Sequence, residues 1–190
     1  MGSTCGASWA FSAIEAIESA YLIASNTSYN LSIQQLLDCT AGGCGFGTVA
    51  TSLYYINSSG ILPENKYYAY LGYDFTICRT AAAGNTTRIR ISTYVPVLAG
   101  CSNILAALAL RPVPVLLDAT NWMNYESGIM GPTSSNGSCG GIQPNFYALL
   151  VGVNSTAWTL RNSWSDVWGV NGYIALAPGN SCYICNSNNV

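Results

Sequence analysis

The chain has 190 residues, half of them apolar, and only 7% charged: 6 Lys+Arg against 8 Asp+Glu, a net charge of −2. That length makes one ordinary domain or two small lobes sharing a core, and an average soluble chain carries about 25% charged residues. No basic patch of useful size can form, which excludes nucleic acid as a partner class. Low charge reads either as compositional drift or as a surface carrying glycans or partners instead of charge. The longest apolar stretches, 104–110 and 146–153, fall well short of the roughly 20 residues of a membrane span, so no membrane is expected. Gly2, Ser3, Thr4 and Cys5 follow Met1 with no leader pattern, so a mature or shortened form is expected.

In chain order, residues 8–25 read as a helix, with Phe11, Ile14, Ile17, Tyr21 and Leu22 as an apolar stripe. Ser32 caps a second short helix, "IQQLLDC", ending near Cys39. "TAGGCGFGT" is a glycine-rich turn without the Gly-Lys-Ser/Thr ending of a phosphate loop. "TVATSLYYINSSG" is a third helix, stopped by Gly60. "RIRISTYVPV" alternates like a strand. "NILAALAL" is a short helix capped by Ser102 or Asn103. "VPVLLDA", "NFYALLVGV", "AWTLRNSW" and "GYIALA" read as strands, separated by turns at Gly152–Thr156 and Gly169–Gly172. Helices followed by an antiparallel sheet make an α+β pattern, with the join near residues 85–91.

Eight cysteines are present: Cys5, Cys39, Cys44, Cys78, Cys101, Cys139, Cys182 and Cys185. An even count in a low-charge chain favours disulfides. The rival is zinc, through Cys39-x4-Cys44 and Cys182-x2-Cys185. Six N-glycosylation sequons, at Asn26, Asn30, Asn57, Asn85, Asn136 and Asn154, agree with an oxidising, glycosylating compartment.

Four landmarks occur in order: "CGASWAFS", "LLDC", "CGFG" and "RNSWSDVWGVNGY". They resemble the papain family of cysteine proteases, whose consensus reads Cys-Gly-Ser-Cys-Trp-Ala-Phe-Ser, Asp-Cys, Cys-x-Gly-Gly and Asn-Ser-Trp-Gly-x-x-Trp-Gly. "ESAYL", "YYAYLGYDFTICR", "QPNF" and "RNSW" look most like the mite group 1 allergens and their scabies-mite relatives. The resemblance implies a papain-like α+β fold: a helical left lobe over 1–88, an antiparallel, β-barrel-like right lobe over 89–190, and a cleft between them. It also implies disulfides Cys5–Cys44 and Cys39–Cys78. Cys139 would pair with Cys185 or Cys182, leaving Cys101 to the other.

Papain-type chemistry needs a thiolate, an imidazole, an orienting Asn and donors for the oxyanion. The resemblance puts Ser8 in the thiolate's place. A serine hydroxyl does not ionise there unaided, since the helix dipole contributes only about 1 kcal/mol, roughly tenfold. The chain has no histidine at all. Anchoring on Gln143-Pro144-Asn145 puts Tyr147 in the histidine place; anchoring on Gly152 puts Phe146 there. Phe has no proton acceptor, and Tyr titrates near 10. Gly2 stands where the oxyanion glutamine belongs, and losing one such donor costs about 10²–10³ in rate. Asn162 keeps the orienting position and Trp164 the shielding one, although Asn162-Ser163-Trp164 also reads as a plain turn with a core aromatic. Tyr147 also reads as ordinary packing. Asp38 and Asp118 read as structural, near a helix end and a strand end.

For the groove, the resemblance puts Phe46 in the place of one glycine of a pair and leaves Gly47 as the other. Thr48, Val49 and Leu116 map to a pocket for substrate, and Trp164 lines the cleft. The resulting expectation is a secreted, monomeric, catalytically inactive homologue that binds a peptide, a protease inhibitor or a host protein. It needs no cofactor and no metal. The alternatives are a serine hydrolase or silicatein-like enzyme using Ser8, and a structural or antigenic secreted glycoprotein.

Overall fold

The computed structural model describes residues 5–45, 47–75, 77–80, 84–131, 138–139 and 143–186. Gly2, Phe46 and Asn136 lie outside these residues. The chain divides into two compact units, Met1–Val95 and Pro96–Val190. Among the described residues no helix is long and apolar enough to cross a membrane.

The first unit is built on helix α1, Ser8–Ser25, which packs against α2, Ile33–Cys39, and α3, Val49–Ser59. The buried part of α1 is its first half: Trp9, Ala10, Ala13, Ile14 and Ile17 are all buried. This corrects the expected stripe, because Phe11 and Tyr21 are only half-buried and Leu22 is exposed. Helix α1 enters the core with small residues that allow close packing and leaves it toward solvent. Ser32 accepts from the Gln35 N–H at 3.1 Å, starting α2. Thr48 does the same for α3 through the Thr51 N–H at 3.1 Å, and Gly60, at φ 77°, ends it.

Two adjacent buried glutamines tie loops to α2. Gln34 donates to the Tyr73 carbonyl at 2.7 Å and accepts from the Leu71 N–H at 2.9 Å. Gln35 donates to the Gly60 carbonyl at 3.2 Å and accepts from the Leu62 N–H at 2.9 Å. Asp38 takes a parallel role, accepting from Gln34 at 2.9 Å, from the Phe75 N–H at 2.8 Å, and from the hydroxyls of Tyr67 and Tyr68. Disulfides Cys5–Cys44 and Cys39–Cys78 close the unit.

"RIRISTYVPV" does not form a strand. Ile89 forms an isolated bridge with Ile61 through two 2.8 Å backbone bonds, and Val97 is a second single bridge residue. Its flanking arginines reach the carbonyls ending α3: Arg88 to Ser59 at 3.4 Å, and Arg90 to Asn57 at 3.3 Å and to Ser58. The alternation reflects a helix end being neutralised by cations.

The second unit holds α4, Cys101–Leu108, and a five-stranded sheet of order β1-β3-β4-β5-β2. The strands are β1 Val113–Leu117, β2 Ile129–Met130, β3 Phe146–Val153, β4 Trp158–Arg161 and β5 Tyr173–Leu176. The β1–β3, β3–β4 and β4–β5 pairs are antiparallel; the two-residue β2, unforeseen in the sequence, lies parallel to β5. Ile104 of α4 is buried, and β1 and β3 are the strands it packs on. Neither Ser102 nor Asn103 caps α4: Gly100 is the cap residue, and the Asn103 amide donates instead to the Ala99 carbonyl at 2.9 Å. The expected turn at Gly152 starts later, since β3 continues through a bulge at Leu150/Gly152 to Val153. Disulfides Cys101–Cys185 and Cys139–Cys182 resolve the open pairing, and no cysteine is left for zinc.

Candidate functional site

Ser8 is the first residue of α1, and Ala7 before it offers no side-chain cap. The chain is held there by the Cys5–Cys44 disulfide and by the Gly6 N–H, which donates to the Cys44 carbonyl at 2.9 Å. Ser8 is buried, at 7% exposure.

Gly47 is fixed by packing. A Cβ there would overlap the Trp9 indole, and one at Gly42 would come within 2.6 Å of the Gly47 Cα. Gly42, Gly47 and Trp9 therefore form one close stack, with the side chain that follows Ser8 as its centre. Thr48 is exposed and its hydroxyl caps α3, while Val49 is buried.

In the second unit, register decides which side chains meet. Leu150 pairs with Leu160, and Leu149 with Arg161. Residues two apart share a face. Phe146, Ala148 and Leu150 therefore lie on the face of Leu160, while Tyr147 and Leu149 lie on the other. Asn162 extends β4 by one residue, its N–H donating to the Gly172 carbonyl at 2.9 Å, and so returns to the face of Leu160. Phe146 and Asn162 share a face; Tyr147 is opposite, with Leu116 as its partner on β1.

The rings agree with this placement. Phe146 meets Trp164 edge-on, centroids 5.3 Å apart, and is buried at 7% exposure. Trp122, Tyr125 and Trp168 complete the cluster: Trp164 to Trp168 is 5.1 Å, Tyr125 to Trp168 is 5.5 Å, and Trp122 to Phe146 is 6.0 Å. Asn162 is 5% exposed. Its Oδ1 accepts from the Ser163 N–H at 2.8 Å, while its Nδ2 makes no hydrogen bond among the described residues. Trp122 and Tyr125 were not singled out in the sequence, because nothing local marks two aromatics after a strand as partners of a distant Trp.

Asp38 and Asp118 are structural. Asp118 is fully buried and accepts from the Thr120 N–H at 2.9 Å and hydroxyl at 2.6 Å.

The model of the papain family cysteine proteases matches residues 2–190. The chain belongs to the papain family. It is 36% identical over 187 residues to cathepsin L 2 of Paramecium tetraurelia, covering 96% of this chain and 56% of that one. It is 33% identical over 193 residues to peptidase 1 of the mite Dermatophagoides farinae, covering 95% and 57%. The chain thus spans a little over half the length of the curated relatives it matches. Among solved structures it resembles a Carica candamarcensis cysteine protease in complex with E-64, with TM-score 0.85, 27% identity, and 97% and 87% of the two chains covered. It also resembles Ananas comosus bromelain in complex with the same inhibitor, with TM-score 0.82, 31% identity, and 98% and 88% covered. Within a papain-family chain, the absence of any histidine among 190 residues is the largest chemical departure.

Proposed function

We propose that this papain-family chain does not hydrolyse peptides and acts by binding. One observation carries the reading: the chain has no histidine, and the ring on Asn162's face beside Trp164 is Phe146. In this reading Phe146 fills the imidazole's place and Ser8 the thiolate's. A phenyl ring accepts no proton, so the Ser8 hydroxyl stays protonated and a poor nucleophile. The Tyr147 side chain lies on the opposite face of the sheet. The half-idle Asn162 amide fits an orienting group whose imidazole is gone. Gly2 in the place of the oxyanion glutamine would remove a donor as well.

The chain is read as secreted. Its four disulfides persist only in an oxidising compartment, and the sequons fit the same route. Its ligand is a peptide, a protease inhibitor or a host protein. The test is turnover of a broad fluorogenic peptide library, with labelling by a fluorophosphonate probe and a Ser8→Ala control. Silence in both proteins supports the reading. Turnover or labelling that disappears in Ser8→Ala replaces it with a serine hydrolase.

A further inference from the structure

The six sequons are equivalent as sequence but not as structure. A glycan replaces one hydrogen of an asparagine Nδ2. The native fold tolerates it only where that nitrogen is free and faces solvent.

Asn57 fails this condition. It is half-buried near the end of α3, and its Nδ2 donates to two carbonyls at once: Ile91 at 2.8 Å and Ser92 at 3.0 Å. Both acceptors belong to the backbone, so the nitrogen must face them. A sugar on Nδ2 would remove one donor and take the space of the 91–92 segment.

Asn154 meets the condition. It is exposed and opens the loop between β3 and β4. Its Oδ1 accepts from the Thr156 N–H at 2.8 Å, the Thr156 hydroxyl at 2.8 Å and the Ala157 N–H at 2.9 Å. Those bonds turn the oxygen inward and leave Nδ2 outward. A glycan there keeps every bond of the turn. Asn26, Asn30 and Asn85 are also exposed.

We infer that Asn154 is an N-glycan acceptor of the folded protein and that Asn57, despite its sequon, stays bare as an internal clamp. The inference rests on the secretory reading above. In the transfer, the Asn154 amide nitrogen bonds the anomeric carbon of a polyprenyl-diphosphate-linked oligosaccharide. The carbon–oxygen bond to the diphosphate breaks, the leaving polyprenyl diphosphate keeps the electron pair, and one amide proton is lost.

The test secretes the chain from a glycosylating eukaryotic cell and isolates the folded protein. Enzymatic glycan release in ¹⁸O-water marks each formerly glycosylated asparagine for peptide mapping. The expected result is label at Asn154 and none at Asn57. Ser59→Ala, which deletes the Asn57 sequon but keeps its amide, should leave the glycan mass and the melting temperature unchanged. Asn57→Ala should lower the melting temperature without changing the glycan mass. Label at Asn57, or an Asn154 without label, overturns the inference, including the case of a secreted chain with no label anywhere. Because the host supplies the route, the natural location is judged separately, by antibody detection of the native chain outside its own cells.

Discussion

The ring of Phe146 stands edge-on to the indole of Trp164, with centroids 5.3 Å apart, on the sheet face that also carries Asn162. If Phe146 fills the imidazole's place, a histidine there has Asn162 to orient it and Trp164 to shield it. Ser8→Cys with Phe146→His is therefore expected to show thiol-dependent peptide cleavage and labelling by an E-64 probe. A working base contributes about 10²–10⁴ in rate, so the double variant should exceed Ser8→Cys alone by about 10². Ser8→Cys with Tyr147→His should gain nothing, because Tyr147 lies on the other face. Activity only in the Tyr147 variant would reverse the assignment.

The choice between Phe146 and Tyr147 shows where sequence reading stops. Two anchors in one strand differ by a single residue, and one residue in a strand is a change of face. Only the pairing of Leu150 with Leu160 shows which ring shares the face of Asn162. Helices α2 and α3 were legible because Ser32 and Gly60 are local signals that act locally. The pairing in the second unit was not legible, since Cys182 and Cys185 share one turn and either can reach Cys139 in sequence terms. Arg88 and Arg90 misled for a related reason: alternation is a local pattern, and their partner is a helix end roughly thirty residues earlier.

Gly47 lies so close to Trp9 that any side chain must displace the indole. The indole is buried at the start of α1 and has nowhere to move. Gly47→Ala should destabilise the protein by about 1–3 kcal/mol, the usual cost of overpacking, measured by chemical denaturation. Gly45→Ala is the control, since among the described residues a Cβ there meets only the Gly42 carbonyl, at 3.5 Å. Equal stability of the two variants would show that Gly47 is not set by packing.

Ser165 stands where the family consensus has glycine, and its φ is 155°. Side chains rarely adopt that conformation, and such strain costs about 1–3 kcal/mol. The Ser165 hydroxyl recovers part of this by accepting from the Val167 N–H at 3.2 Å. Glycine removes the strain but raises the entropy of the unfolded chain, at about 0.5–1 kcal/mol. Ser165→Gly should be neutral or stabilising by up to about 1 kcal/mol. A loss of that size in thermal denaturation would mean the serine contacts outweigh the backbone strain.

Tyr67 and Tyr68 both donate to Asp38, and both phenols are held above their ordinary pKa of 10.0, chiefly by burial; hydrogen bonding adds to the rise at Tyr68, whereas at Tyr67 the bonds with Tyr68 and the Arg79 N–H oppose it. For Tyr68 the Asp38 carboxylate is the main hydrogen-bonding cause, because a phenolate beside it would lose its proton and face a negative charge. The sign follows from linkage: a group whose folded pKa is raised stabilises the fold fully below its unfolded pKa. That contribution is lost as pH rises past about 10, where the unfolded chain releases the proton first. Unfolding free energy should therefore fall with pH above about 10. Tyr68→Phe should lower stability at neutral pH, by losing one bond to Asp38, and should flatten the alkaline slope, by removing a titrating group. Urea denaturation of both proteins between pH 7 and 11 measures both effects. An alkaline slope unchanged by Tyr68→Phe would place the linkage on other tyrosines and not on the Asp38 cluster.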